Sequence, residues 1–202
     1  MTRAIIPALA LALIAAPVAA ATVSMSGQGR FVRQSLRRLD QELARQVLAD
    51  GGHISRNPAA LLDILVDLLP VRQALTVQGM PASPMVMQAI DRMMPMVRFF
   101  RHGDGTFAHF NGMGATPVDL VATILAYDDA RGGPPGNAPH SGYQRVACGD
   151  TLLLMDTGVP PEPALSLTAH AGCLSFEMSS RRTRIVVNCG VSNSERGAWR
   201  SV

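Results

Sequence analysis

The sequence predicts an α+β chain, a run of helices followed by the beginning of an antiparallel β-sheet. Three observations carry that expectation. Before residue 130, apolar side chains recur at helical spacing. Residues 131–142 read RGGPPGNAPHSG, dense in the two residues that break regular structure. Beyond them the segments become short, alternating or β-branched, and are mostly closed by Gly or Ser.

Residues 29–52 place Phe31, Leu36, Leu39, Leu43 and Val47 on one helical face with charges opposite, and Gly51-Gly52 supplies the stop. A second helix is expected after SRNP, where Asn57 caps and Pro58 takes the first helical position. Its run AALLDILVDLLPVRQAL is apolar on most sides, so it is expected to be deeply buried. PMVMQAIDRMMPMVRFF predicts a third helix in which Met93, Met94 and Met96 fill core space. TPVDLVATILAYDDA predicts a fourth, with Thr116 as cap and Pro117 just inside. Helices joined by Gly/Pro turns read as antiparallel hairpins. YQRVACG, TLLLMDTG, LSFEMSS and TRIVVNCG then predict four strands. A sheet this small leaves an apolar face and open edges, so it reads as the start of something larger.

A chain of 202 residues, 48% hydrophobic and 16% charged, is long enough for a real core and too apolar for disorder. All 18 basic residues are arginine and the net charge is only +3. With two tyrosines and one tryptophan, no basic groove interleaved with stacking aromatics is visible, and nucleic acid is excluded as a partner. Cys148, Cys173 and Cys189 are odd in number and lack CxxC spacing, so they are expected to be packing residues. Residues 1–24 read as a signal peptide, one arginine followed by an apolar run and small residues, or alternatively as a buried helix. The run is short for a membrane span and two prolines interrupt it.

Polar candidates concentrate in two loops. Residues 101–116, RHGDGTFAHFNGMGAT, carry His102, Asp104, His109 and Asn111 among glycines. An Asp–His pair can orient a proton-transfer group, and glycines permit close approach of a ligand. The alternative is a glycine-rich loop whose polar side chains cap neighbouring helices. No GK[ST] follows, so it is not a phosphate loop. Residues 49–58 offer Asp50, His53, Arg56 and Asn57, which read as a carboxylate-binding site or as turn chemistry. His170 lies in an alternating stretch, and its neighbours in sequence stand at no recognised metal-ligand spacing.

Taken in order, DGGHISRNPAALLDILVDLL, RMMPMVRFFRHGDGTFAHFNGMGAT, PHSGYQRV, AHAGCLSFEMSS and RIVVNCG resemble the heparinase II/III family of polysaccharide lyases. The resemblance implies the C-terminal part of an (α/α) toroid over residues 25–131 and a linker at 132–142. It implies the start of an antiparallel β-sandwich from 143 to 202. It also makes 1–24 a possible toroid helix. The reaction implied is β-elimination on a uronate-containing, acidic polysaccharide in the periplasm or cell envelope, with a Tyr as base or acid, Asn or His on the carboxylate, and often a structural zinc. On that basis His53, His102 and Asp104 are the candidate catalytic residues, and Arg56, Asn111 and His109 the candidate substrate contacts. Position by position the match is uneven. Asp50, Gly51, His53 and Pro58 fit the toroid motif, but its glutamate place holds Ser55 and its tyrosine place Ala60. His170, Ser175, Phe176 and Glu177 fit the sandwich motif, but Thr168 stands for its first histidine, Gly172 for its acid and Asn188 for a later aspartate. The zinc set shrinks to His170, with Asn188 as an amide at a ligand place, too few for a closed site, so no cofactor is expected. A non-catalytic glycan-binding or scaffold relative, or a fragment without independent activity, is the alternative.

Overall fold

The computed structural model describes residues 25–128, 132–165, 169 and 172–189. The expectations for residues 1–24 and for His170 lie outside the described residues. Four helices come first: α1 (Met25–Gln46), α2 (Pro58–Val77), α3 (Pro84–Phe99) and α4 (Val118–Ala126). Five strands follow: β1 (Asn137–Ala138), β2 (Tyr143–Cys148), β3 (Thr151–Asp156), β4 (Phe176–Ser180) and β5 (Thr183–Val186). No helix among the described residues is long and apolar enough to cross a membrane.

α2 is the hub of the helical part and packs on α3 and α4, while α1 packs on α3. Asn57 caps α2 as expected, its side chain accepting from Ala59 N at 2.8 Å, with Pro58 opening the helix. Leu61, Leu65, Leu68 and Leu75 are buried along one face, and buried Leu62, Leu69 and Val71 widen it to about half the circumference, while Pro70 faces solvent, where its missing N–H is least costly. Ser83 caps α3 by accepting from Val86 N at 3.2 Å, and its hydroxyl donates to Asp40 of α1 at 2.5 Å. Met93, Met94 and Met96 are core.

Three local expectations need correction. Phe31 is 51% exposed because position 31 sits about 80–120° round the helix from Leu39 and Leu43; Val32 packs against the core in its place. Thr116 does not cap α4; its hydroxyl accepts from Phe107 N at 2.8 Å, tying the loop before the helix. The three cysteines are exposed, since Cys148 ends β2 at a hairpin, Cys173 lies in a turn and Cys189 follows β5.

The sheet is an antiparallel meander in the order β1-β2-β3-β4-β5. The Gly/Pro linker thus contributes an edge strand, with Asn137 opposite Gln144 and Ala138 opposite Tyr143. Register sets Tyr143 against Asp156, Leu154 against Glu177 and Ser179 against Arg184. These residues share one face by the two-residue period, and Tyr143, Leu154 and Asp156 are buried. Tyr143, Leu152 and Leu154 join the same apolar cluster as the four helices. The other face carries exposed Val146, Phe176 and Ile185.

Candidate functional site

The inner face of the sheet meets the helical part through two buried polar clusters, and they divide the residues singled out from sequence. In the first, Arg56 is 8% exposed and holds a left-handed backbone, φ 58°, which L-residues adopt at a cost. Its guanidinium donates to the carbonyls of Ser141 at 2.8 Å, Val159 at 2.6 Å and Gly142 at 3.2 Å, and it is ion-paired with Asp156. Gly158 makes room for it, since a Cβ there would sit 2.5 Å from an Arg56 terminal nitrogen. Asn111, also left-handed at φ 49°, donates to Tyr143 OH at 2.7 Å and to Asp156 at 3.0 Å. Tyr143 OH donates in turn to the Arg56 carbonyl at 2.5 Å. Burial, followed by the charge of Asp156, pushes the Tyr143 phenol well above its usual range. It stays protonated and serves as a structural donor.

The second cluster centres on Glu177, whose carboxylate has four donors. Oε1 accepts from the backbone of His109 at 2.9 Å and of Asn188 at 3.0 Å. Oε2 accepts from His102 Nε2 at 2.9 Å and is paired with Arg184. Burial pushes this carboxyl up, but the hydrogen bonds from His102, His109 and Asn188 and the Arg184 charge outweigh it, and the net shift is downward. His102 Nδ1 lies 2.8 Å from Ser179 Oγ. A hydroxyl, an imidazole and a carboxylate in series suggest a nucleophile with its base, yet His102, Glu177 and Ser179 are all buried. None of the three lines either of the clefts along the helix–sheet seam described below.

The side chains of the remaining candidates have local surroundings of their own. His53 sits in the turn between α1 and α2; Nδ1 accepts from Ser55 N at 3.1 Å, which leaves Nε2 to carry the proton towards Gln46 Oε1 at 3.3 Å. Burial holds its pKa at about 4, so the ring is neutral at pH 7. Asp104 accepts from Thr106 N at 2.9 Å and Thr106 Oγ1 at 2.6 Å, a local turn bond. Burial tends to raise its pKa, but the two Thr106 bonds and the Arg184 and His102 charges hold it below the usual carboxylate range. His109 is half-buried, and burial lowers its pKa more than Glu177 raises it. Hence His53, His102 and Asp104 keep separate partners and form no common constellation. Ala60, at the place the resemblance gives to the catalytic tyrosine, lies in the first turn of α2.

The zinc places fare no better. Gly172 offers no side-chain donor, and the Asn188 amide nitrogen donates to Ser175 Oγ at 3.4 Å. No group of three His, Cys, Asp or Glu side chains gathers among the described residues. Gly172 and Asn188 are therefore poor stand-ins for the acids of a closed zinc site.

Exposed polar groups gather elsewhere. A cleft of about 450 Å³ is lined by Asn137, His140, Gln144, Thr157 and Gly158, with Arg56 at its base. A second, about 550 Å³, adjoins it through Arg56, His140 and Val159. It lies between the end of α1 (Arg45, Leu48) and the Pro160-Pro161 segment. Together they follow the seam between helices and sheet. His140 and Gln144 were not singled out from sequence; their only signal was a position in the breaker-rich linker and on the first long strand after it.

Residues 130–202 match the family described as heparinase II/III-like, C-terminal. The chain superimposes on a crystal structure of heparinase III with a TM-score of 0.72, over 96% of this chain and 36% of that one, at 12% identity. From residue 130 onward the chain resembles the C-terminal domain of the heparinase II/III-like proteins. A heparan sulfate lyase HepC mutant from Pedobacter heparinus matches with a TM-score of 0.59 and 18% identity, over 86% of this chain and 32% of that one. At such identities the likeness is one of fold: helices, then an antiparallel sheet. In sequence, the chain is 37% identical over 168 residues to FtsZ-localized protein C of Caulobacter vibrioides, covering 83% of the chain and 29% of that protein. It therefore spans roughly a third of the length of the relatives it matches.

Proposed function

We propose that this heparinase II/III-like chain binds an acidic, uronate-containing glycan in the cleft between its helical part and its sheet, without β-elimination at His53 or His102. The observation that carries this reading is the split of polar groups into closed and open sets. His102, Arg56 and Asn111 are buried and hydrogen-bonded within the protein, whereas His140 is exposed beside Gln144 in the cleft. A lyase must bring a base to the proton beside the carboxylate and an acid to the departing oxygen. Ala60 stands in place of a tyrosine, and Tyr143 is buried and protonated, so neither position supplies a phenol for these steps. Arg56 acts as a positioning residue, its bonds to the 141–142 and 159 backbone holding the cleft walls.

A binding role also accords with the name of the sequence relative, which describes a place and not a reaction. Location in the cell envelope belongs to the same proposal, and fractionation of cells carrying a tagged gene tests it. The second reading, a lyase of altered chemistry, has one observation in its favour: exposed His140 could itself reach a cleft-bound sugar. Incubating the purified 202-residue chain with a panel of acidic glycans separates the two. Saturable binding with no rise in ultraviolet absorbance from unsaturated uronate is expected, weakened by His140→Ala and Gln144→Ala. Turnover abolished by His140→Ala would establish the lyase instead.

A further inference from the structure

The solvent face of α1 carries a charge pattern that neither packing nor the cleft explains. At 100° per residue, Arg30, Arg33, Arg37, Arg38 and Arg45 fall within an arc of about 140°, opposite Leu39 and Leu43. All five are exposed. Arg45 pairs with Glu42 at 2.8 Å, but the other four have no hydrogen-bond or ion-pair partner among the described residues. No acid lies within the arc: Asp40 and Glu42 stand on its flanks, and Asp40 is engaged by Ser83. Four of the chain's 18 arginines thus stand unneutralised on a few turns of one helix. Glu42, four residues from Arg38, is the one acid at that stabilising spacing, and its carboxylate is bonded to Arg45 and Gln46 instead.

The face also has a direction. Arg30 and Arg37 are separated by a rise of about 10 Å, the length of a disaccharide, and Arg30 to Arg45 by about 22 Å. Arg45, at the last turn, lines the cleft with Leu48, Ile54 and His140. The row of guanidinium groups therefore runs along the helix and ends at the cleft mouth. Phe31, 51% exposed, borders the row and offers an aromatic face to the C–H side of a sugar ring.

We propose that the arginine face of α1 is an extended binding surface for an acidic polymer whose other end occupies the cleft, with Arg45 at the junction. This rests on the cleft reading above and adds a length requirement to it. Guanidinium groups pair with carboxylates and sulfates, and association with a polyanion gains from counterion release, so affinity is steeply salt-dependent. A ligand confined to the cleft has no reason to grow tighter with length.

The test uses the full 202-residue chain and alginate oligomers of graded length, with neutral dextran as control. The comparison variant is R30Q/R33Q/R37Q/R38Q, in which Gln keeps the helix propensity and removes the charge. Circular dichroism melts establish that both proteins fold alike. The wild type is expected to bind long oligomers at least tenfold more tightly than short ones, and the variant to lose that gain while binding short oligomers equally. Affinity independent of length, or a length gain untouched in the variant, overturns the proposal and leaves the cleft reading standing. Long chains held through the arginines, with short ones unbound, overturn the cleft reading while the arginine surface survives. Binding to phosphatidylglycerol vesicles that requires the four arginines, with no alginate binding, assigns the face to a lipid surface and overturns both.

Discussion

Asp156 and Glu177 are buried acids, each opposite an arginine brought from elsewhere in the chain, Arg56 and Arg184. Removing one member of such a pair leaves the other charged and dry, which costs about 3–5 kcal/mol. Asp156→Ala is therefore expected to destabilise the protein by that amount in urea titrations. Asp150→Ala, which breaks the exposed Arg181–Asp150 pair, is expected to cost under about 1 kcal/mol. His53 gives a pH signature. Its pKa falls from 6.5 to about 4 on folding, so the unfolded chain takes up the proton first. Its contribution is intact above pH 6.5 and is lost progressively as pH falls towards 4, by about 3 kcal/mol in all. Melting temperatures between pH 7 and 4 are expected to fall less steeply in His53→Gln than in the wild type. The sequence singles out His102, Arg56 and Asn111 because polar residues among glycines stand out. It cannot give their partners: Glu177 lies 75 residues from His102 and Asp156 lies 100 from Arg56, and only folding decides whether such a residue faces a ligand or another side chain.

The secondary structure elements were far more legible, because their signals are local. Asn57-Pro58 marks the start of α2, the apolar run that follows marks a buried helix, and alternation marks β2, β3 and β4. Where a second contact competed, the local signal failed: Thr116 is drawn to Phe107 N, and β1 forms inside the linker because β2 offers it an open edge. Asn57→Ala is expected to cost about 1 kcal/mol through the lost cap, read from thermal melts. The loop 101–116 is held by close approach as well as by its side chains. A Cβ on Gly103 would lie 1.8 Å from the Arg181 carbonyl oxygen, backbone that cannot simply rotate away. Gly103→Ala is expected to cost about 1–3 kcal/mol and to raise hydrogen exchange in the β4–β5 turn.

The helices and the sheet are one packed body along a polar seam. Asp50 accepts from Ser141 N at 2.6 Å, Arg145 donates to the Phe99 and Arg101 carbonyls at the end of α3, and the Asp156 and Glu177 clusters lie between. The cleft that carries the functional reading follows this seam, so the bonds that join the two parts also shape the cleft walls. That order of helices followed by an incomplete sheet was visible in sequence; the closure of the His102 and Arg56 clusters was not, since burial is a property of the assembled seam. The central claim, binding without elimination, is tested most directly by following one sample of the 202-residue chain with an acidic glycan by calorimetry and ultraviolet absorbance together. Saturable heat with flat absorbance is the expected result. A rise in absorbance that disappears in His102→Ala, with the variant still folded, would contradict it.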